Sequence, residues 1–224
     1  MIHSSKNIIE LDNCIFRAPF TCKIVGPSQS GKTTLVAEII QHHEVMICPS
    51  IQRIVYCYSQ FQPKFKSIKN VEFVPGLPDF DLFDPAINNL LILDDLEDEC
   101  VNSVDILKLF TVNSHHKNIS TFFLSHNYFR AGKYSRTINL NLHYLIQFSN
   151  PADKSQLCQM GYRMYPECSH YLMECYANAI QCGHRYLFID FRPATPDNIR
   201  CQTGILPSET RIVFCLKENL SSMN

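Results

Sequence analysis

Eight consecutive residues, numbers 26–33, match the pattern G-x-x-x-x-G-K-[ST] at every fixed position. This pattern is typical of a loop that binds phosphate through inward-pointing N–H groups and the positive end of the following helix. Lys32 is predicted to reach the β- and γ-phosphate oxygens of ATP, and Thr33 to hold Mg²⁺. The residues predicted to bind the nucleotide are Gly26, Pro27, Ser28, Gln29, Ser30, Gly31, Lys32, Thr33 and Thr34.

A second informative stretch is 89–95, in which the apolar run 90–93 is followed by the carboxylates of Asp94 and Asp95. A continuous apolar run predicts a strand buried on both faces, and acids at its end form a Walker B pattern. Asp94 is predicted to orient Mg²⁺, and Asp95 to orient the attacking water or to accept its proton. Two buried acids cost free energy unless a cation lies beside them, which is a reason to expect the metal.

The run 119–125 predicts another strand, which ends at Ser125 and is followed by His126 and Asn127. Ligands in open parallel sheets bind beyond the carboxyl ends of the strands, so these polar side chains are expected to face the same crevice as the phosphate loop. One of them is a candidate sensor of the γ-phosphate, and a plain turn is the alternative.

Apolar periodicity and turn residues predict the elements that position these side chains. A strand at 20–25 precedes the loop, and a helix at 34–40, with Leu35 and Ile39 four residues apart, follows it. Further strands are predicted at 53–58, 71–74, 142–148, 186–191 and 211–214, and a helix at 102–116. This order predicts an α/β chain with the P-loop NTPase fold, a mostly parallel central sheet and helices on both faces.

The predicted strand 53–58 lies between the phosphate-loop strand and the Asp94 strand in the sequence. If it is inserted between them, the core belongs to the ASCE type, the ATPase branch in which a catalytic acid adjoins the Walker B motif. The order in which strands pair is not visible in one sequence.

Length and composition are those of one globular domain: 224 residues, 46% hydrophobic and 18% charged. We predict an arm at 1–14, the ATPase domain at 15–216 and a tail at 217–224. The net charge of -1 gives no bulk signature of a nucleic-acid binder, so any DNA contact must come from local patches. An odd count of 11 cysteines with no signal peptide predicts reduced thiols in an intracellular protein, and no apolar run is long enough to span a membrane.

Cysteine and histidine side chains between 168 and 184 offer a second, weaker possibility, a zinc site. The candidate ligands are Cys168, His170, Cys175, Cys182 and His184. The cysteines recur every seven residues, which places them on one helical face, and ligands along one long helix diverge rather than close a tetrahedron. A stripe of buried thiols is therefore the favoured interpretation.

Several motifs together resemble the genome-packaging ATPases of Polinton/Maverick elements, adintoviruses and related large DNA viruses, within the HerA/FtsK class of P-loop motors. The resemblance covers about residues 16–214, and the run 123–156 makes it specific. The shared motifs are APF at 18–20, LILDDL at 91–96, SHH at 114–116, SHNYF at 125–129, SRTI at 135–138, NLN at 139–141, NPADKSQ at 150–156 and ILP at 205–207. The family usually has Gln where this chain has His126 and commonly has Arg where it has Ala152.

The resemblance implies a ring-forming motor that hydrolyses ATP and moves double-stranded viral DNA into a preformed capsid. The implied partners are double-stranded DNA, a capsid or portal-vertex protein and further copies of this chain. A ring motor needs a cation supplied by the neighbouring subunit, and Arg136 is the first candidate, with Arg130 and Lys133 as alternatives. Asn127 or His126 would couple the γ-phosphate to movement.

Two other functions stay open at this point. A helicase or DNA-segregation translocase would use the same chemistry and would differ in what happens to the DNA strands. A nucleotide-gated scaffold would bind ATP without turning it over. We expect an intracellular location, in the nucleus or at a viral assembly site of an infected host cell, with association to the virion as an alternative.

Overall fold

The computed structural model describes residues 14–63, 65, 68–152, 154–181, 183 and 185–216. The predicted arm, apart from Cys14, and the predicted tail at 217–224 lie outside these residues, so the division at both ends stays a prediction. None of the helices in the described part of the chain is both long enough and apolar enough to cross a membrane.

Strands make up the centre of the molecule. They are β1 (Phe16–Arg17), β2 (Thr21–Val25), β3 (Ile47–Cys48), β4 (Arg53–Tyr58), β5 (Glu72–Pro75), β6 (Asn89–Asp94), β7 (Ile119–Ser125), β8 (Tyr144–Phe148), β9 (Tyr186–Asp190), β10 (Cys201–Thr203) and β11 (Ile212–Phe214). The main sheet has the order β11-β10-β9-β8-β2-β7-β6-β4-β5. Six neighbouring strands of this sheet run parallel, namely β8, β2, β7, β6, β4 and β5. The strands β9, β10 and β11 extend the sheet beyond β8, each antiparallel to its neighbour. β1 and β3 form a separate parallel pair.

Helices cover both faces of this sheet. They are α1 (Lys32–Gln41), α2 (His43–Met46), α3 (Glu97–Asn102), α4 (Val104–Lys108), α5 (Ser114–His116), α6 (Ser135–Leu140), α7 (Ser155–Met164) and α8 (Tyr171–Gln181). A π-helical turn, Leu109–Asn113, joins α4 to α5, so most of the helix predicted at 102–116 is present. The predicted α/β class with helices on both faces is confirmed.

The side chains of the buried strands belong alternately to two separate hydrophobic cores, because successive residues of a strand point to opposite faces of the sheet. On β6, Leu90 and Ile92 belong to the core that includes Ile39 of α1. Leu91 and Leu93 belong to the other core, against α4 and α8. A run that is buried on both faces has no polar side, which explains its uniformly apolar sequence.

The spatial position of β7 decides how the site is assembled. β7 lies between β2 and β6, while β4 lies on the outer side of β6. The predicted insertion of a strand between β2 and β6, as in the ASCE type, is therefore present. The inserted strand is β7, however, and the prediction that it is the strand at 53–58 was wrong. The register pairs Val25 with Ser125 and Tyr58 with Asp94. The carboxyl ends of these strands consequently meet at one edge of the sheet.

The region of the alternative zinc site contains a helix with a buried stripe. Leu172, Cys175 and Ala179 of α8 are buried, whereas Cys168 lies before α8 in a 3-10 turn and is only partly buried, so the predicted thiol stripe does not extend to it. Cys182 and His184 lie outside the described residues. Within the described ranges, no group of three or more His, Cys, Asp or Glu side chains is placed to hold a metal ion.

Candidate active site

The loop of residues 26–31 connects the end of β2 to the first turn of α1. Gly31 precedes α1 with φ at 106°, a left-handed conformation that favours glycine. The loop is tied to the neighbouring strand by the Gly26 N–H, which donates to Ser125 O at 3.1 Å. A Cβ at Gly26 would lie 2.6 Å from Phe148 Cβ and 2.8 Å from Ser30 Oγ, so only glycine fits there. The two glycines of the motif therefore shape the loop for different reasons.

Lys32, the first residue of α1, is 9% exposed and points back over the loop. Its Nζ donates to Gly26 O at 2.7 Å and to Pro27 O at 3.0 Å. An ammonium group is a donor only, so the oxygens of a phosphate could accept from Lys32 as these carbonyl oxygens do. Ser30 Oγ is buried and has no hydrogen-bond partner among the described residues, as a hydroxyl that faces a phosphate oxygen would.

Three oxygen-bearing side chains meet beside the loop. Thr33 Oγ1 lies 3.3 Å from Asp94 Oδ2, and the hydroxyl of Tyr56 donates to the same Asp94 oxygen at 2.6 Å. Burial and the charge of Asp94 raise the pKa of Tyr56 well above its usual value, so its hydroxyl keeps its proton. A hydroxyl and a carboxylate suit Mg²⁺, which takes oxygen ligands and completes its shell with water and substrate phosphates.

Asp95 follows Asp94 with φ at 59°, a left-handed conformation that is uncommon for a residue other than glycine. Ser59 Oγ donates to Asp95 Oδ2 at 2.9 Å. His126 Nε2 lies 3.8 Å from Asp95 Oδ1, so the two charges attract when the imidazole is protonated. Asp95 is more than half exposed, which gives water access to its carboxylate.

Glu97, the first residue of α3, is a buried acid that the sequence interpretation did not single out. It is 8% exposed. The hydroxyl of Ser125 donates to its Oε1, and the backbone N–H of His126 donates to its Oε2 at 3.2 Å. These bonds link the segment after β6 to the end of β7.

A polar cavity of about 340 Å³ collects most of the predicted residues. It brings together the phosphate loop, both Walker B acids and the end of β7. Its lining residues are Ser28, Gln29, Ser30, Gly31, Lys32, Thr33, Thr34, Gln62, Asp94, Asp95, Glu97, Leu124, Ser125 and His126.

Two predicted catalytic residues, Asn127 and Arg136, do not line this cavity. The backbone O of Asn127 lies 2.7 Å from Ser125 Oγ, whose one proton is donated to Glu97, and of this motif only Ser125 and His126 line the cavity. Arg136 is exposed and lines a second cavity, of about 440 Å³, together with Arg130 and Arg163. The catalytic roles of both residues stay predictions.

The alternative cations have partners within the chain. Arg130 forms an ion pair with Asp98 of α3, with Nη2 and Oδ1 2.5 Å apart. Lys133 Nζ lies 5.0 Å from the centre of the Tyr134 ring. Releasing Arg130 for another role would therefore break an ion pair.

A buried lysine lies behind the end of β7. Lys23 of β2 has no exposed surface, and its Nζ donates to Tyr128 O at 2.9 Å and to Asn139 Oδ1 at 3.1 Å. Burial lowers the pKa of Lys23 to about 8, and the negative charge of Glu97 partly opposes this shift. Lys23 thus holds the segment that follows Asn127 against the loop strand.

Sequence reasoning missed three residues of this site, namely Tyr56, Gln62 and Glu97. Tyr56 looks like one more apolar residue of its strand, and only the pairing of β4 with β6 places its hydroxyl on Asp94. Glu97 is one of several acids after the Walker B motif, and its burial is what distinguishes it.

Comparisons with known proteins identify the fold. No family model matches the chain, and no curated protein matches it in sequence. The structure of the genome packaging NTPase B204 from Sulfolobus turreted icosahedral virus 2 with sulfate is 11% identical, with a TM-score of 0.53 over 88% of this chain and 96% of that chain. The DNA-packaging ATPase B204 from Sulfolobus turreted icosahedral virus gives a TM-score of 0.52 at 11% identity, over 88% and 97%. The chain therefore has the P-loop NTPase fold.

Proposed function

We propose that this protein is an ATP-hydrolysing motor that moves double-stranded viral DNA into a preformed capsid. The observation that carries the proposal is a complete phosphate loop, with Thr33 placed against Asp94, in a fold similar to viral packaging NTPases over 88% of the chain. The family resemblance to Polinton, adintovirus and HerA/FtsK-class motors supports the same function and stays part of this proposal.

The site supports ATP binding through its loop. The γ-phosphate would take the place of the carbonyl oxygens that now hold Lys32. Thr33 and Asp94 would hold Mg²⁺, which neutralises charge on the β- and γ-phosphate oxygens when bound. Tyr56 would keep the Asp94 carboxylate oriented by donating to one of its oxygens.

Hydrolysis needs a water molecule that attacks the γ-phosphorus on the side opposite the leaving ADP. The water oxygen forms a new bond to phosphorus, the bond to the ADP oxygen breaks, and one water proton leaves. Asp95 would orient this water or take its proton, and its position in the cavity lining with an exposed carboxylate supports this role. Lys32 would stabilise the negative charge that moves onto the leaving oxygen.

The motor function requires several copies of the chain. Arg136 lies outside the nucleotide cavity and is exposed, as expected of a cation that acts on the site of a neighbouring subunit in a ring. Double-stranded DNA and a capsid or portal-vertex protein would be the other partners. The protein would act in the nucleus or at the viral assembly site of an infected cell.

The test is phosphate release by the purified protein with Mg²⁺ and ATP, with and without long double-stranded DNA. We expect DNA to raise turnover, and the Lys32→Ala and Asp95→Asn variants to lose it. Lys108→Ala, at an exposed lysine of α4, is the matched control and should behave as the wild type. Turnover that persists in Lys32→Ala, or an absence of turnover under both conditions, would reject the motor. Separation of the DNA strands during translocation would indicate a helicase instead.

A further inference from the structure

Glu97 is a carboxylate buried at the edge of the nucleotide cavity, and its exposed fraction is only 8%. Burying a charged carboxylate is costly unless hydrogen bonds compensate it. Here Oε1 accepts from the hydroxyl of Ser125, and Oε2 accepts from the N–H of His126. Each oxygen is thus bonded to the end of β7, although Glu97 itself belongs to α3.

These bonds hold the segment that follows β6 against the carboxyl end of β7. β6 ends at Asp94, and the chain passes through Asp95 before it reaches Glu97. β7 ends at Ser125, and the imidazole of His126 then comes within 3.8 Å of the Asp95 carboxylate. The left-handed φ of Asp95 is a sparsely populated conformation, which persists only where the surrounding contacts hold it.

We infer that Glu97 is a positioning residue for ATP hydrolysis: it anchors the end of β7 so that His126 lies beside Asp95 and Asp95 keeps its place in the cavity. The inference rests on the proposed function and deepens it. Glu97 acts through Ser125 and His126, because both of its oxygens are engaged with them. Binding of ATP depends on the loop, so losing the anchor should affect turnover and leave binding intact.

Glu97→Gln is the sharpest perturbation, because the amide has the same size as the carboxylate. A glutamine is uncharged and places an NH₂ donor where one carboxylate oxygen stood, so it cannot accept from the Ser125 hydroxyl and the His126 N–H through separate oxygens. Glu99→Gln is the matched control, since Glu99 is an exposed acid on the same helix. Ser125→Ala weakens the same contact from the other side, because it removes the hydroxyl that donates to Glu97 and keeps the carboxylate.

The experiment measures kcat by phosphate release and Kd with the fluorescent analogue mant-ATP, on variants whose melting temperature matches the wild type. We expect Glu97→Gln to lower kcat about 10- to 100-fold, the size of effect that a misplacement of about 1 Å produces. Its Kd for mant-ATP should stay within about twofold, because the loop contacts are retained. Glu99→Gln should match the wild type in both quantities.

A double mutant separates positioning from direct catalysis by Glu97. If Glu97 acts through His126, then Glu97→Gln should have little further effect on kcat in a His126→Ala background. Additive losses would overturn the inference, and so would an unchanged kcat in Glu97→Gln. If Glu97→Gln does not fold, an unchanged kcat in Ser125→Ala would overturn it. Absence of Lys32-dependent turnover in the wild type would instead reject the proposed function, and the inference with it.

Discussion

Replacing Lys23 by Met tests whether a buried amine behind the active site is held at a lowered pKa. Lys23 has no exposed surface, and Nζ is bonded to one backbone oxygen and one amide oxygen. No carboxylate in the described part of the chain forms an ion pair with it. Burial lowers its pKa from 10.5 to about 8, so the folded protein gives up this proton earlier than the unfolded chain does.

The sign of the effect follows from where the proton is bound. Between about pH 8 and pH 10.5 the unfolded chain binds more protons than the folded chain, so this group makes the free energy of unfolding rise with pH. Each pKa unit corresponds to about 1.4 kcal/mol. The charged form of Lys23 therefore costs about 3 kcal/mol of stability below about pH 8, and that cost is removed as pH rises through this range.

The assay is urea unfolding of the wild type and of Lys23→Met in reducing buffer at about pH 7 and about pH 10. Burial raises the pKa of other groups, among them Cys57 and Tyr128, both to about 12, and these destabilise both proteins equally at high pH. The difference between the two proteins isolates Lys23. We expect the wild type to gain about 2.5 kcal/mol relative to the variant between these pH values.

The reasoning would be refuted if the difference in unfolding free energy between the wild type and Lys23→Met were the same at both pH values. Lys108→Met is the control, because Lys108 is mostly exposed and its difference from the wild type should stay nearly constant. A constant loss in Lys23→Met is expected in addition, since Asn139 and the Tyr128 carbonyl lose a donor at every pH.

Three other substitutions test separate parts of the site. Tyr56→Phe removes the bond to Asp94 and should raise the Mg²⁺ concentration for half-maximal phosphate release about 10- to 100-fold; an unchanged Mg²⁺ titration would contradict this. Gly26→Ala places a Cβ 2.6 Å from Phe148 Cβ and should lower the free energy of unfolding by about 1–3 kcal/mol, measured in urea; full stability would show that the loop yields. Arg136→Ala should keep mant-ATP binding and lower kcat by about 10³-fold, and equal turnover would exclude it as the trans-acting cation.

Local sequence determined the parts of the site that lie on one continuous segment. The spacing of Gly26, Gly31 and Lys32 specifies a turn and the start of a helix, because those conformations depend on adjacent residues. The apolar run before Asp94 identified a fully buried strand, since such a strand has no polar face. Most strands, and the helix after the loop, were predicted within a few residues for the same reason.

Strand order and the contacts between distant residues were decided only by the tertiary structure. Nothing in the run 119–125 indicates that it pairs between β2 and β6, because parallel strands are joined by long crossovers that leave their order open. That order brings Tyr56 onto Asp94, and Ser125 onto Glu97, across 38 and 28 residues of sequence. The sequence thus determined the phosphate-loop pattern and the residues predicted to bind phosphate. The packing of the sheet decided which groups hold the acids in place, since a buried polar side chain is bonded to whatever donor the fold brings beside it.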